Sequence, residues 1–302
     1  METIRRSLIQ TILIVAVAVG CVLAQSVPEK HVKDIQAEQP QDVIYASPLC
    51  QQAKAARLPA PQYYGRLREV NPATLEKDLP TLMQKSDEVV LAGRPNGGAM
   101  AVSPSGEDAI WYRDVRVLHT WKGSHKVGDI LTFAFPTGTV RCGPGEHDIA
   151  RTLTGRGDKL FAGSYMQEGP SVLFLRHGDT GLIGGLRLTG GDGTQGMFVV
   201  KPSKPTDAFD EHNALNACFR AGYACNDPRY DSPECRDPHI EDEMIAKCNA
   251  ALNVSQKAVT IGYGRDLLLD KYDGMPISKF LKKVQAVADS LGYAGQAGDA
   301  AK

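Results

Sequence analysis

Apolar and polar residues alternate with a period of two over much of the middle of the chain. The apolar runs are short, and glycine, aspartate and proline residues separate them. They cover residues 89–93, 110–118, 129–135, 171–176, 182–188 and 196–200. Because side chains of a strand point alternately to its two faces, this pattern predicts five or six short strands. Their number and their turn residues favour a small antiparallel barrel or sandwich.

Apolar residues at helical spacing predict helices on both sides of this β-rich region. Residues 74–85 show such spacing, and Pro80 divides the pattern into two short pieces. Another helix is expected at residues 241–252, before a candidate strand at residues 258–261. The clearest helix covers residues 278–291, with Ser278 as the expected N-cap. Its apolar stripe comprises Phe280, Leu281, Val284, Val287 and Leu291.

The 302 residues therefore divide into a core β domain and flanking segments. The predicted fold class is mainly β with flanking helices, with a cysteine-rich excursion and a C-terminal helix. The expected segments are a signal peptide (1–24), an extended arm or linker (25–72), the barrel (73–200), a cysteine-rich linker or subdomain (201–260), a closing strand and helix (261–291) and a disordered tail (292–302).

The start of the chain has the pattern of a secretory signal. A basic pair at residues 5–6 precedes an almost wholly apolar stretch, residues 8–24, which ends in the small residue Ala24. Cleavage between Ala24 and Gln25 is therefore predicted, with export to an oxidising compartment, secreted or periplasmic. Two alternatives stay open: an uncleaved membrane anchor through residues 8–24, and lipidation of Cys21.

Six cysteines remain beyond the predicted signal, an even number that indicates disulfide bonds in an exported chain. They are Cys50, Cys142, Cys218, Cys225, Cys235 and Cys248. Two local bridges are expected within residues 218–248, and Cys50 with Cys142 is then the pair left over. That bridge would tie the N-terminal arm to the β domain. No two cysteines have the close spacing of structural zinc sites, so no metal is assigned.

Several stretches follow one another in an order known from a family of small barrels. They are residues 78–93, 115–123, 127–129, 172–175, 196–200 and 272–281. In this order they resemble the netrin-like barrel of the tissue inhibitors of metalloproteinases, in the version found in exported bacterial proteins. The resemblance covers about half of the chain and implies an OB-type, TIMP-like antiparallel barrel.

The resemblance does not extend to the inhibition of metalloproteinases. In that family, inhibition depends on a mature N-terminal cysteine whose amine and carbonyl chelate the zinc of the target. Here the expected first mature residue is Gln25, and the first mature cysteine is Cys50. No inhibitory residue is therefore transferred, and the fold alone does not determine the function.

Two polar motifs of the chain have the residue types of a ligand site. The glycine-rich residues 190–196 look like a phosphate loop, but a strand rather than a helix follows them, so a hairpin turn is favoured. Glu146, His147 and Asp148 lie close together beside Cys142. A solvated loop is the favoured interpretation there, with a metal or acid–base site as the alternative.

Two further polar groups also have structural interpretations. His177 and Asp179 follow a strong strand, where polar residues are expected to cap a hairpin. The acidic residues 237–243 suit a helix N-terminus and lack the glycine turn of a calcium loop. No catalytic residue, cofactor-binding residue or metal ligand is assigned from the sequence, and no cofactor is expected.

The charge balance argues against a nucleic-acid-binding protein, because 34 basic residues face 35 acidic ones. The leading hypothesis is an exported, non-enzymatic binding or interaction protein whose partner is an extracytoplasmic protein or glycan. The second is an extracytoplasmic hydrolase or metal-dependent enzyme that uses His147, Asp148 or His177. The third is a structural envelope protein held by its N-terminal segment. Membrane contact is expected only through that segment, if it stays uncleaved.

Overall fold

Strands dominate the fold, with short helices before and after them. The computed structural model describes residues 30–56, 64–93, 98–145, 148–156, 159–161, 171–178, 185–201, 258–261, 268, 271–272 and 274–293. The helices are α1 (Val32–Glu38), α2 (Gln41–Ala46), α3 (Pro48–Ala56), α4 (Leu79–Lys85) and α5 (Ile277–Ser290), with 3-10 turns at Pro72–Thr74 and Gly191–Gly193. The strands are β1 (Tyr64–Glu69), β2 (Glu88–Ala92), β3 (Ala99–Val102), β4 (Ala109–Lys122), β5 (Ile130–Phe135), β6 (Gly138–Arg141), β7 (Ile149–Arg156), β8 (Lys159–Phe161), β9 (Ser171–His177), β10 (Leu186–Leu188), β11 (Met197–Lys201) and β12 (Ala258–Ile261).

Five of these strands close into a barrel. β2 pairs with β4, β4 with β5, β5 with β10, β10 with β9, and β9 returns to β2. The predicted closed barrel is confirmed. The expected wholly antiparallel pairing is wrong at one place, because β5 and β10 run parallel. β3 adds to the start of β4, and β11 and β12 extend the sheet beyond β9.

Apolar side chains fill the interior of the barrel, and none of them is more than 5% exposed. The interior residues are Val90, Ala92, Val115, Val117, Leu131, Phe133, Phe135, Leu173, Leu175, Leu186, Leu188 and Met197. The predicted interior residues Val90, Val115, Val117, Leu131, Phe133, Leu173 and Leu175 are therefore confirmed. Phe198, predicted to lie among them, is buried in a different cluster on the outside of the barrel.

The outer cluster lies beneath α4 and α5. Phe280 and Val284 of α5 are fully buried there, and Leu281 packs against the cluster, as the sequence predicts. α5 begins at Ile277, one residue earlier than expected, and its N-cap is Pro276 rather than Ser278. Pro80 does not break α4 but lies in its first turn, where a missing N–H costs no hydrogen bond.

The N-terminal arm is helical where the sequence suggests an extended chain. α1 buries Val32 and Ile35, and α3 buries Leu49 and Cys50. Each helix thus contributes two side chains to the core, too few to show as a periodic apolar pattern. The predicted bond between Cys50 and Cys142 is confirmed, with a Cα–Cα distance of 5.0 Å.

A second sheet, outside the barrel, holds the end of this arm. β1 runs parallel to β7, which also pairs with β6 and β8. Residues of α3, β3, β4, β6 and β7 form an apolar cluster around the disulfide. Its buried members are Leu49, Cys50, Val102, Ala109, Val140, Cys142 and Ala150.

Candidate functional site

The polar group predicted beside Cys142 is described only in part, because Glu146 and His147 lie outside the described residues. The Asp148 carboxylate accepts a hydrogen bond from the Gly145 N–H at 3.1 Å. The Asp148 carbonyl accepts one from the Cys142 N–H at 2.6 Å. Asp148 thus closes the turn beside the disulfide, which agrees with the favoured loop interpretation.

His177 lies exposed at the end of β9, and Asp179 is outside the described residues. The His177 N–H donates to the Asp87 carboxylate at 2.7 Å. β9 and β10 pair antiparallel, and the Gly178 N–H donates to the Gly185 carbonyl at 2.9 Å. The expected hairpin is therefore present, and the described contact of His177 is made by its backbone.

The glycine-rich residues 190–196 do not form a hairpin turn. β10 and β11 are both antiparallel to β9 and follow one another along its edge, so residues 189–196 loop out between two parts of one interrupted strand. The Glu76 N–H donates to the Gln195 side-chain carbonyl at 2.7 Å, and the Gln195 amide donates to the Glu76 carbonyl at 2.9 Å. The loop thus holds the segment that leads into α4, and no helix N-terminus follows it as a phosphate loop requires.

The remaining predicted site residues cannot be compared with the structure. Ala24 and Gln25, the predicted cleavage site, lie outside the described residues, as does Cys21. The same holds for the cysteines of the predicted excursion, which are Cys218, Cys225, Cys235 and Cys248.

One polar cluster that the sequence did not reveal lies at the end of the barrel where β2 begins. Glu88 is 4% exposed, and its Oε1 accepts from the Ser124 N–H at 2.8 Å and from the Ser124 hydroxyl at 3.0 Å. The same oxygen lies 3.2 Å from His125 Nδ1. Burial by itself would raise the pKa of Glu88. The hydrogen bonds from His125 and Ser124 outweigh it, so the pKa lies below its usual value.

Glu88, Ser124 and His125 have the residue types of a hydrolase triad but not its arrangement. A nucleophilic serine donates its proton to the histidine, which then acts as the general base. Here the Ser124 hydroxyl donates to Glu88 instead. The cluster therefore fastens the loop between β4 and β5 over this end of the barrel.

A second polar chain lies on the outer face of β4 and β5. The Thr132 hydroxyl donates to Asp114 Oδ1 at 2.6 Å, and His31 Nδ1 lies 3.1 Å from the same hydroxyl. Because the hydroxyl proton is directed to Asp114, we assign the Nδ1 proton to His31 as the donor. Thr132 is only 1% exposed, so a substrate has no access to its hydroxyl. This chain attaches the start of α1 to the barrel.

A third group lies on β3 and β4, where Trp111 packs partly buried against the barrel interior. The Arg113 guanidinium stacks on the Trp111 ring at 3.5 Å from its centre, and Met100 lies directly opposite Trp111 on β3. Trp111 is half-buried and Met100 is 36% exposed. We call Met100, Trp111 and Arg113 the Trp111 surface. Arg113 is only 7% exposed, so another molecule can reach Met100 and the exposed part of Trp111, which are residue types enriched at protein interfaces.

The described residues contain no group of three metal-binding side chains, and no helix among them is long and apolar enough to cross a membrane. Comparison of the chain with protein-family models, with curated proteins and with solved structures finds no match.

Proposed function

We propose that the chain is an exported, non-enzymatic binding protein built on an OB-type barrel like that of the metalloproteinase inhibitors. The order of the barrel strands supports the OB type. Along the chain, the five barrel strands occur in the order β2, β4, β5, β9, β10. Around the barrel the last two change places, so that the ring order is β2, β4, β5, β10, β9. OB-type barrels are five-stranded and use their outer strands and loops to bind ligands.

The filled interior of the barrel is the observation that carries the proposal of surface binding. Twelve buried apolar side chains occupy it, so no ligand fits inside. At one end, Glu88 is engaged by Ser124 and His125. Recognition therefore falls to the outside of the molecule. Within the Trp111 surface, Met100 and the exposed part of Trp111 can reach a partner, while Arg113 is buried and stacks on the Trp111 ring. Tryptophan often carries binding energy at interfaces. An extracytoplasmic protein or a glycan is the proposed partner.

Capture of a partner by the exported protein from its native envelope fraction tests this proposal. We expect the Met100→Asp variant to lose the partner, because it places a charge beside Trp111. The Leu67→Asp variant is the matched control, since Leu67 is 49% exposed on β1. If the Met100→Asp variant still binds the partner and the Leu67→Asp variant does not, the binding surface lies on the second sheet and not at Trp111. Parallel binding to immobilised glycans separates a glycan from a protein partner.

The same preparation tests the two other candidate functions. A hydrolase would show turnover of ester, peptide or glycoside substrates that depends on His147, Asp148 or His177. A structural envelope protein would remain in the membrane pellet through residues 8–24. We propose instead a secreted or periplasmic chain that begins at Gln25 and is recovered in the soluble exported fraction.

A further inference from the structure

The start of the described chain lies across the outer face of β3, β4 and β5. We call residues 31–39 the strap. It contains α1, whose only buried side chains are Val32 and Ile35. Beneath them lies a face of mostly small residues: Ala99, Ala101, Ile110, Tyr112 and Ala134. The strap thus covers an apolar face of the sheet with two side chains of its own.

Polar contacts hold the two ends of the strap. At its start, the Val32 N–H donates to Asp114 at 3.2 Å, beside the contact between His31 and Thr132. At its end, the Gln39 amide donates to the Val102 carbonyl at 2.9 Å, and the Val102 N–H donates to the Gln39 side-chain oxygen at 2.7 Å. Gln39 therefore pairs with the edge of β3 as a residue of a neighbouring strand would.

The next part of the chain gives the strap little support. α2 has no fully buried residue, although its Ile44 packs partly buried against the cluster around the disulfide. The first firmly buried residues beyond it are Ser47, Leu49 and Cys50. Cys50 is fixed covalently to Cys142. A seven-residue helix is not stable by itself, so the strap depends on these few contacts with the sheet. Elements with few buried contacts open at much lower free energy than the core.

We propose that the strap lifts from the sheet as a unit, by rotation about residues 40–46, while the disulfide keeps the arm attached. Lifting uncovers the apolar face and leaves the N–H and the carbonyl of Val102 unpaired at the edge of β3. The uncovered face accepts a partner segment with the chemistry of the strap itself. That segment is a short helix with aliphatic residues three positions apart and a carboxamide that reaches the β3 edge.

Native-state labelling of introduced cysteines tests whether the strap lifts. Ala101→Cys places a thiol under the strap, and Val90→Cys places one inside the barrel; both positions are fully buried. We expect Cys at position 101 to react with a thiol reagent about a hundredfold faster than Cys at position 90, as measured by peptide mass spectrometry. Equal rates would mean that the face opens only when the whole barrel unfolds, which would overturn the proposal.

Removal of the Gln39 contact sharpens the test. In the Ala101→Cys background, Gln39→Ala should raise the labelling rate about tenfold, because two hydrogen bonds to β3 are lost. Gln36→Ala, on the exposed side of α1, is the matched control and should leave the rate unchanged. If both variants label alike, Gln39 does not hold the strap.

Two measurements complete the test. Hydrogen exchange of the unsubstituted chain should show the amides of α1 exchanging well before those of β4; simultaneous exchange would contradict an independent strap. A synthetic peptide of residues 30–40, added in excess to the Gln39→Ala protein, should slow labelling at position 101. A rate unaffected by the peptide would refute the partner segment while leaving the lifting itself supported by the first comparison.

Discussion

The ring of Phe280 in α5 lies 4.8 Å from the ring of Phe198 in β11. The ring of Tyr272 contacts both, at 5.4 Å from Phe280 and 6.2 Å from Phe198. The C-terminal helix is therefore joined to the outside of the barrel by an aromatic cluster. Its apolar stripe is used within the chain and is not free to bind a partner.

Replacement of Phe280 by alanine should destabilise the protein by about 3–5 kcal/mol, because it removes a fully buried ring and leaves a cavity. Urea unfolding of the variant measures the loss. Lys283→Ala, on the exposed side of the same helix, is the control and should change the free energy of unfolding by less than about 0.5 kcal/mol. An unchanged midpoint for Phe280→Ala would show that α5 is not part of the core.

Glu88 should make stability depend on pH in the acid range. Its pKa is lowered in the folded protein, so its contribution is fully present above the unfolded value of about 4.3 and is lost as the pH falls through the folded value. The Glu88→Gln variant should be about 1.5–3 kcal/mol less stable than the wild type near neutral pH. This difference should shrink as the pH falls below the unfolded value of about 4.3. Glu38→Gln, at an exposed position, is the control; a constant difference for Glu88→Gln would contradict the prediction.

Loss of the bond between Cys50 and Cys142 should destabilise the protein strongly. The two cysteines are 92 residues apart, and the chain-entropy relation gives about 4–5 kcal/mol for a loop of that length. The double variant Cys50→Ser, Cys142→Ser removes the bond without leaving a free thiol. Urea unfolding of this variant and of the oxidised wild type measures the difference, and equal midpoints would mean that the bond does not stabilise the fold.

The mass of the exported protein tests the predicted processing and oxidation together. We expect a chain that begins at Gln25, with all six mature cysteines in disulfide bonds. Treatment with an alkylating reagent should therefore add no mass before reduction and six equivalents after it. A species that retains Met1, or one that carries lipid on Cys21, would refute cleavage after Ala24.

Much of the barrel could be predicted from the sequence, because alternation alone places side chains on its two faces. Val115 and Val117 of β4 and Leu173 of β9 lie in the interior as the pattern predicts. For Phe198 the pattern predicts the wrong side of the barrel. Its position depends on how β11 pairs with β9, which leaves Met197 inside and Phe198 outside, and local alternation does not contain that information.

The second sheet could not be predicted, because β7 buries polar residues. Thr152 and Thr154 are almost fully buried, and their hydroxyl groups are hydrogen-bonded to backbone groups outside β7. The Ala109 N–H donates to the Thr152 hydroxyl, and the Thr154 hydroxyl donates to the Pro136 carbonyl. A strand that buries threonine resembles a loop in a hydropathy pattern.

The sequence does not reveal the polar clusters around Glu88 and Thr132, for a different reason. Glu88 lies 36 residues from Ser124, and His31 lies 101 residues from Thr132. No motif spans such distances, and each residue alone has an ordinary environment in the sequence. Only the closure of the barrel and the docking of α1 bring these groups together, so the sequence predicts the fold further than it predicts the site.

The pairing of the N-terminal arm has a consequence for the order in which the molecule is built. During synthesis Cys50 emerges long before Cys142, and β1 long before its partner β7. By contrast, β4 pairs with β3 and β5, which adjoin it in the chain, and such local contacts form fast. Cys50 therefore stays unbonded to Cys142, and β1 stays unpaired, until the strands around Cys142 and β7 have formed. Premature oxidation of Cys50 would trap the newly made chain in a misfolded state.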